Sequence, residues 1–333
     1  MTKLTVVGAT TWGTTLAINA AREGSDTRIL VRSQKEATTL NSNRENTRFL
    51  PGVKIPETAI ATDSLDTAFD RPDIVLFAVP SHSLRQNAKT VANKIDSETI
   101  IVSAVKGLEV GSGKRMSEIL AEELPNLDKR NICALSGPNL AMEIVNGKPS
   151  STVIASSNIE MCTKAQKLLN SKQLRIYTND DIIGVEIGGA LKNITAIAVG
   201  ISDGLKFGDN AKAAIITRGL AEIARLGESL GARKSTFSGL AGMGDLIATC
   251  SSSLSRNNQV GRMLASGKSV EDIHKTMKNV AEGIKTTEAA ILISKATGIS
   301  MPIASSVYDV LFNGVEPTHA VSSLMERAPT SEN

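Results

Sequence analysis

The chain is poor in aromatic residues: six Phe, two Tyr and one Trp make up 3% of 333 positions. Its core must therefore be packed mainly by Ile, Leu, Val and Ala. A dominant charge is missing too. Thirty-seven Lys+Arg against 34 Asp+Glu leave +3, too little for a nucleic-acid surface, so any basic site is local. Three cysteines (Cys133, Cys162 and Cys250) are widely spaced and odd in number. That excludes a disulfide framework and lacks zinc-ligand spacing, so they read as reduced residues in or near the core. The histidines His82, His274 and His319 do not cluster with Cys or carboxylates, and no metal is expected. No apolar run reaches the roughly 18 residues that would span a bilayer, and the N-terminus opens on a strand pattern without a basic-then-apolar leader. The expectation is a cytoplasmic protein without stable membrane insertion.

What is present is ordinary for a globular protein, with 41% hydrophobic and 21% charged residues. The length exceeds the ~250 residues at which single cores stop growing, so two domains are expected. In the first half, short apolar runs alternate with helix-compatible stretches. Strands are expected at Leu4–Val7, Thr27–Val31, Ile74–Val79, Thr99–Val102, Ile132–Leu135 and Thr152–Ala155. Helices read over Trp12–Glu23, stopped by Gly24, and over Arg85–Lys94 and Lys114–Glu123. Continuous apolar strands alternating with helices predict an α/β fold with a doubly wound parallel sheet covered on both faces. After Asp181 the texture becomes helical: 182–200, 211–230, 260–265, 270–278, 285–297 and 305–312. The division is therefore a Rossmann-like dinucleotide-binding domain at 1–180, an all-helical substrate and catalytic domain at 181–326, and a frayed, disordered tail at 327–333.

The first strand–turn–helix, VVGATTWG, places Gly8 and Gly13 at the first and third glycines of a G-x-G-x-x-G fingerprint. The middle position is Thr10. Were it held in a left-handed conformation, the strain would be on the order of 1–2 kcal/mol, unless the hydroxyls of Thr10 and Thr11 recover it by bonding to phosphate. Trp12 in the turn reads as a wall of the cofactor pocket. Arg32, at the end of the second strand, can accept a 2′-phosphate or stack on adenine, which leans toward NADP without excluding NAD. The second half carries the cassette GLAGMGDLIATCSSSLSRN from Gly239 to Asn257. It gathers Asp245, Thr249, Ser255, Arg256 and Asn257, with Gly239, Gly242 and Gly244 loosening one end. Arg and Asn can fork onto a phosphate while Asp orients a hydroxyl, the set that a small phosphorylated polyol requires.

Several segments together resemble the soluble, bacterial-type NAD(P)-dependent glycerol-3-phosphate dehydrogenases: GATTWG, FAVPS (77–81), SAVKGLE (103–109), LSGPNLAMEI (135–144), EIGGALKNI (186–194), the cassette, and VAEG (280–283). The likeness covers nearly the whole chain, and GGALKN with the cassette is its most specific part. The resemblance implies that Lys192 is the catalytic proton donor and acceptor and that Lys106 touches both cofactor and substrate. It implies substrate binding by Gly137, Asn139, Lys192, Asp245, Ser255, Arg256 and Asn257. It also implies cofactor binding by Thr11, Trp12, Arg32, Ala141, Arg256, Val280 and Glu282, beside the Gly8 and Gly13 of the turn motif. Thr10 and Asn139 depart from the family pattern, the latter standing where Ser or Thr is usual; its amide can still bond a hydroxyl. The implied reaction interconverts dihydroxyacetone phosphate and sn-glycerol 3-phosphate in a homodimer and supplies glycerophospholipid synthesis.

The chemistry is consistent with the residues. Hydride reduction of a ketone leaves negative charge on oxygen, where an ammonium can both stabilise the charge and supply the proton. Asn193 can fix the orientation of that oxygen. Two other readings use the same architecture: a hydroxyacid or sugar-acid dehydrogenase, which the Arg256–Asn257 clamp disfavours, and an inactive cofactor-binding regulator, which Lys192, Lys106 and Asp245 disfavour.

Overall fold

The computed structural model describes residues 2–277, 281–326 and 328. Ten strands are present: β1 Lys3–Val7, β2 Asp26–Leu30, β3 Glu45–Asn46, β4 Leu50–Lys54, β5 Ala59–Thr62, β6 Ile74–Phe77, β7 Ile100–Ser103, β8 Ile132–Ser136, β9 Ser150–Ala155 and β10 Leu174–Asn179. Eight of them form one sheet in the order β10-β9-β8-β7-β6-β1-β2-β5, while β3 and β4 pair separately. The central strands β6, β7 and β8 are buried along their whole length, as their unbroken apolar runs require. Alternate residues feed opposite faces. Leu76 and Val102 join Leu16 and Ile18 of the helix Thr11–Arg22. Val75, Phe77 and Ile101 join Leu84, Ile119 and Leu120.

The sheet is not wholly parallel, as the sequence reading had it. β8 and β9 run antiparallel, with Leu135 opposite Ile154, so β9 and the parallel β10 are reversed relative to the rest. Strands β5 and β10 are not marked in the sequence: β5 is only four residues long, and Arg, Thr and Asn break the apolar character of β10. At β1 the order turns back on itself, with β2 on one side and β6 on the other. Ligands of open α/β sheets bind beyond the carboxyl ends of strands at such a switch point, and the Gly8 turn leaves β1 there.

The chain divides into two units, Met1–Lys106 with Lys114–Glu186, and Gly107–Gly113 with Ile187–Asn333. The helix Ile182–Gly204 carries the chain from the first to the second. It is long and apolar enough to cross a membrane by length and composition, which corrects the expectation that no such stretch exists; 89% of its apolar window is buried within the protein. In the second unit it is joined by the helices Gly208–Ser229, Asp245–Ser251, Arg256–Ala265, Glu282–Thr297, Pro302–Phe312 and Pro317–Met325. Glycines bring two of these backbones together. A Cβ on Gly200 would lie 2.1 Å from the Asn258 oxygen, and one on Gly261 would lie 2.1 Å from the Ile197 oxygen. The buried Glu222 carboxylate accepts from the amides of Ile303 (2.8 Å) and Ala304 (3.3 Å), closing the start of the helix Pro302–Phe312.

Candidate active site

In the first unit the turn after β1 is built around its two glycines. Gly8 has φ +108°, and a Cβ there would strike Val79 at 2.8 Å; a Cβ on Gly13 would lie 2.1 Å from the Gly8 oxygen. Thr10 is not strained. Its φ of −75° and ψ of 173° are extended, and its hydroxyl oxygen caps the helix Thr11–Arg22 by accepting from the Gly13 amide at 3.1 Å. The same hydroxyl donates to the Ala78 oxygen at 2.7 Å, and the Thr11 hydroxyl donates to the Phe49 oxygen at 3.0 Å. The anticipated strain is absent, and both hydroxyl protons are held by protein carbonyls instead of being available to phosphate. Asn46, which the sequence did not single out, braces the turn from below: its Nδ2 donates to the Ala9 oxygen (3.0 Å) and to Thr14 Oγ1 (2.8 Å).

This geometry fits a dinucleotide. The amides of Thr11 and Trp12 open the helix, where intrahelical acceptors do not exist, and they face an end of positive dipole. Trp12 packs against the core at its partly buried ring, and its Nε1 is buried with no hydrogen-bond partner among the described residues. Arg32 is exposed two residues beyond β2, with its backbone amide 3.2 Å from Glu36 Oε2.

Beyond β7 and β8 lie Lys106, Gly137 and Asn139. Lys106 Nζ donates to the Gly137 oxygen at 2.8 Å. Gly137 has φ +148°, and a Cβ would sit 3.0 Å from both Cα and Oγ1 of Thr152. The Thr152 hydroxyl donates to the Ser136 oxygen (2.8 Å), so its oxygen accepts from Asn139 Nδ2 (3.0 Å). Asn139 Oδ1 is left buried and unpartnered among the described residues. The parts of the Asn139 amide not held by the described residues are therefore its oxygen and the second hydrogen of its NH2. Ala141 begins the short helix Ala141–Val145. His82 is exposed.

In the second unit Lys192, 7% exposed, is held from two sides. Its Nζ donates to Asp245 Oδ1 at 2.8 Å and to Thr249 Oγ1 at 2.5 Å. An ammonium has three donors, so one N–H remains without a partner among the described residues. Asp245 reaches this place through the π-helical turn Leu240–Gly244, where the Gly244 amide bonds the Gly239 oxygen at 3.1 Å. The cassette glycines serve closeness more than looseness: a Cβ on Gly242 would lie 2.1 Å from the Phe237 oxygen. Burial pushes the neighbouring Cys250 thiol up to about 12; all three cysteines are free and buried.

The helix Arg256–Ala265 starts at Ser255, whose Oγ accepts from the Asn258 amide at 3.3 Å. The helix start at Ser255 to Asn257 is an arrangement suited to an anion. Arg256 is exposed, and the Glu282 carboxylate is near enough for its charge to act on it. The Asn257 side chain is partly committed elsewhere: Nδ2 donates to Asn193 Oδ1 (2.9 Å), and Oδ1 accepts from the Gly283 amide (3.0 Å). The second Nδ2 hydrogen is the part of this amide not held by the described residues, the donor remaining for the phosphate expected there. Behind the helix, Asn258 Nδ2 donates to Asp203 Oδ2 (3.2 Å), and Asp203 also pairs with Lys212 and Arg262, each at 2.8 Å. Asp203 and Thr152 gave no sign of these roles in the sequence. Among the described residues no group of His, Cys, Asp and Glu could hold a metal. Val280 and residues 327 and 329–333 lie outside the described residues.

Two family models match the chain: the N-terminus of NAD-dependent glycerol-3-phosphate dehydrogenase over residues 3–162 and its C-terminus over 181–322. A glycerol-3-phosphate dehydrogenase [NAD(P)+] of Dehalococcoides mccartyi is 48% identical over 326 residues, covering 98% of this chain and 91% of the relative. One of Chlorobium phaeobacteroides is 44% identical over 330 residues, covering 99% of each. The crystal structure of glycerol-3-phosphate dehydrogenase from Coxiella burnetii superimposes with a TM-score of 0.93 at 35% identity, covering 98% of this chain and 99% of that one. With matching models over both halves and full-length relatives well above 30% identity, the chain belongs to the NAD-dependent glycerol-3-phosphate dehydrogenase family.

Proposed function

We propose that the chain reduces dihydroxyacetone phosphate to sn-glycerol 3-phosphate with NADH or NADPH, and that Lys192 gives the proton to the carbonyl oxygen and removes it in the reverse direction. The observation that carries this reading is the buried Lys192 ammonium, fixed by Asp245 and Thr249 with one N–H left over. Its neighbour Asn193 is bonded to the residue that follows Arg256. A bound reduced nicotinamide supplies the hydride. The work of the chain is to hold, orient and protonate.

Lys192 places a positive charge where negative charge develops on the ketone oxygen and then transfers a proton to it. Asp245 and Thr249 keep the amine from swinging away. The phosphate falls to the Arg256 guanidinium, the Ser255 hydroxyl and the amides of Arg256 and Asn257. By family resemblance, Lys106, Gly137 and Asn139 also serve the substrate. Gly8, Thr11, Trp12, Gly13, Arg32, Lys106, Ala141, Arg256 and Glu282 serve the cofactor, as does Val280 by family resemblance alone. The reading extends to a cytoplasmic homodimer whose product enters glycerophospholipid synthesis, with domains at 1–180 and 181–326.

The test is the loss of NADPH absorbance on adding dihydroxyacetone phosphate, in the native protein and in Lys192→Met. Turnover should fall about 10²–10⁴-fold in the variant while NADPH binding is kept. Turnover retained in Lys192→Met would remove this lysine from the mechanism.

A further inference from the structure

We infer that Asn257 serves this reaction as a positioning residue, its side chain turning the Asn193 amide so that the NH2 end is presented to the reacting oxygen. The inference rests on the function proposed above and adds to it how that oxygen is held. The polarity follows from one group that cannot be reversed. The Gly283 backbone amide can only donate, so the Asn257 atom 3.0 Å away is Oδ1. The other end of that amide is then Nδ2, which donates over 2.9 Å and requires Asn193 to offer Oδ1. Turning either amide over would set N–H against N–H or oxygen against oxygen. Asn193 Nδ2 is therefore the outer end of the relay, and it has no hydrogen-bond partner among the described residues.

The packing holds the relay in place. Asn257 and Asn193 are 7% and 5% exposed. Gly283 can come this close only because it lacks a side chain: a Cβ would lie 2.7 Å from Asn257 Oδ1, 2.8 Å from Ile197 Cδ1 and 3.0 Å from the Asn193 oxygen. The Asn257 Oδ1 and one Nδ2 hydrogen are thus engaged within the protein, and the helix start offers an anion the backbone amide and the second Nδ2 hydrogen. Asn193 follows Lys192 in the same helix and is bonded to the residue after Arg256, and a fixed N–H donor aimed at a developing alkoxide stabilises it.

The test compares native protein with Asn257→Asp, Asn193→Ala and the double variant, reading kcat, the KM for dihydroxyacetone phosphate and NADPH affinity in the absence of substrate. Asn257→Asp keeps the acceptor for Gly283 but turns the Asn193 NH2 inward, toward itself. Each single variant should lower kcat about 10²-fold, with KM changed little and NADPH affinity kept. The double variant should be no slower than Asn193→Ala, since orientation no longer matters once the amide is gone. Should Asn257→Asp lose NADPH affinity, Gly283→Ala displaces the same donor and is read by the same criteria. A rise in KM with kcat preserved, or losses that multiply in the double variant, would overturn the inference. Absence of turnover in the native protein would instead overturn the proposed reaction.

Discussion

Replacing Thr10 with glycine would restore the family's three-glycine turn, and the structure makes the outcome the reverse of an improvement. Thr10 sits in an extended conformation that any residue adopts, so glycine relieves no strain. The change removes the cap on the Gly13 amide and the bond to the Ala78 oxygen. Loss of the cap costs a few tenths of a kcal/mol relative to glycine, the second bond about 0.5–1.5 kcal/mol, and the added freedom of the unfolded chain about 0.5–1 kcal/mol. Together these give roughly 2 kcal/mol, or a Tm lower by about 4–8 °C for a unit of this size. Thermal melts and NADPH titration of Thr10→Gly should show a less stable protein with no tighter cofactor binding. An unchanged Tm together with roughly tenfold tighter binding would refute the reasoning and reinstate Thr10 as a flaw in the turn.

Two further outcomes follow from the second unit. Arg256→Ala removes the one guanidinium proposed for the substrate phosphate; at about 1.5–3 kcal/mol for charge-assisted bonds the KM for dihydroxyacetone phosphate should rise about 10–150-fold, and an unchanged KM in steady-state assays would contradict the assignment. Asp203 titrates below its ordinary value: burial raises its carboxyl pKa, but hydrogen bonds from Lys212 and Asn258 and the charges of Lys212 and Arg262 outweigh it. A depressed folded pKa means that its contribution is present above the unfolded value of about 3.9 and is lost as pH falls through the folded one. Thermal melts of Asp203→Asn should accordingly depend less on pH below about 4 than native melts do, and identical slopes would refute this.

The alternating first half and helical second half were legible because periodicity and chain length constrain them directly. The central strands β6, β7 and β8 are continuous apolar runs, and Gly24 ends the first helix at φ +87°. The reversal of β9 was not legible, because strand direction depends on how the chain returns to the sheet and leaves no mark on residue type. At the site, residue types pointed to Lys192, Asp245 and Arg256. They could not show which side chains are occupied by the protein. The chemistry of Asn257 suggests a phosphate ligand but does not reveal that its amide also joins Asn193 to Gly283. Thr10 looked like a damaged glycine position and is a helix cap. Asn46, Thr152 and Asp203 act through partners 32, 16 and 55 positions away, a separation that no local pattern encodes.

The Lys192–Asp245 pair has an electrical corollary. At a distance the two charges cancel, and Glu282 partly offsets Arg256 in the same way. A dianion approaching the second unit therefore meets dipoles more than a net cation, and such fields fade quickly with separation. Recruitment by long-range attraction is weak there. Selection among cellular phosphate esters is left to directional contacts made at touching distance, where shape decides.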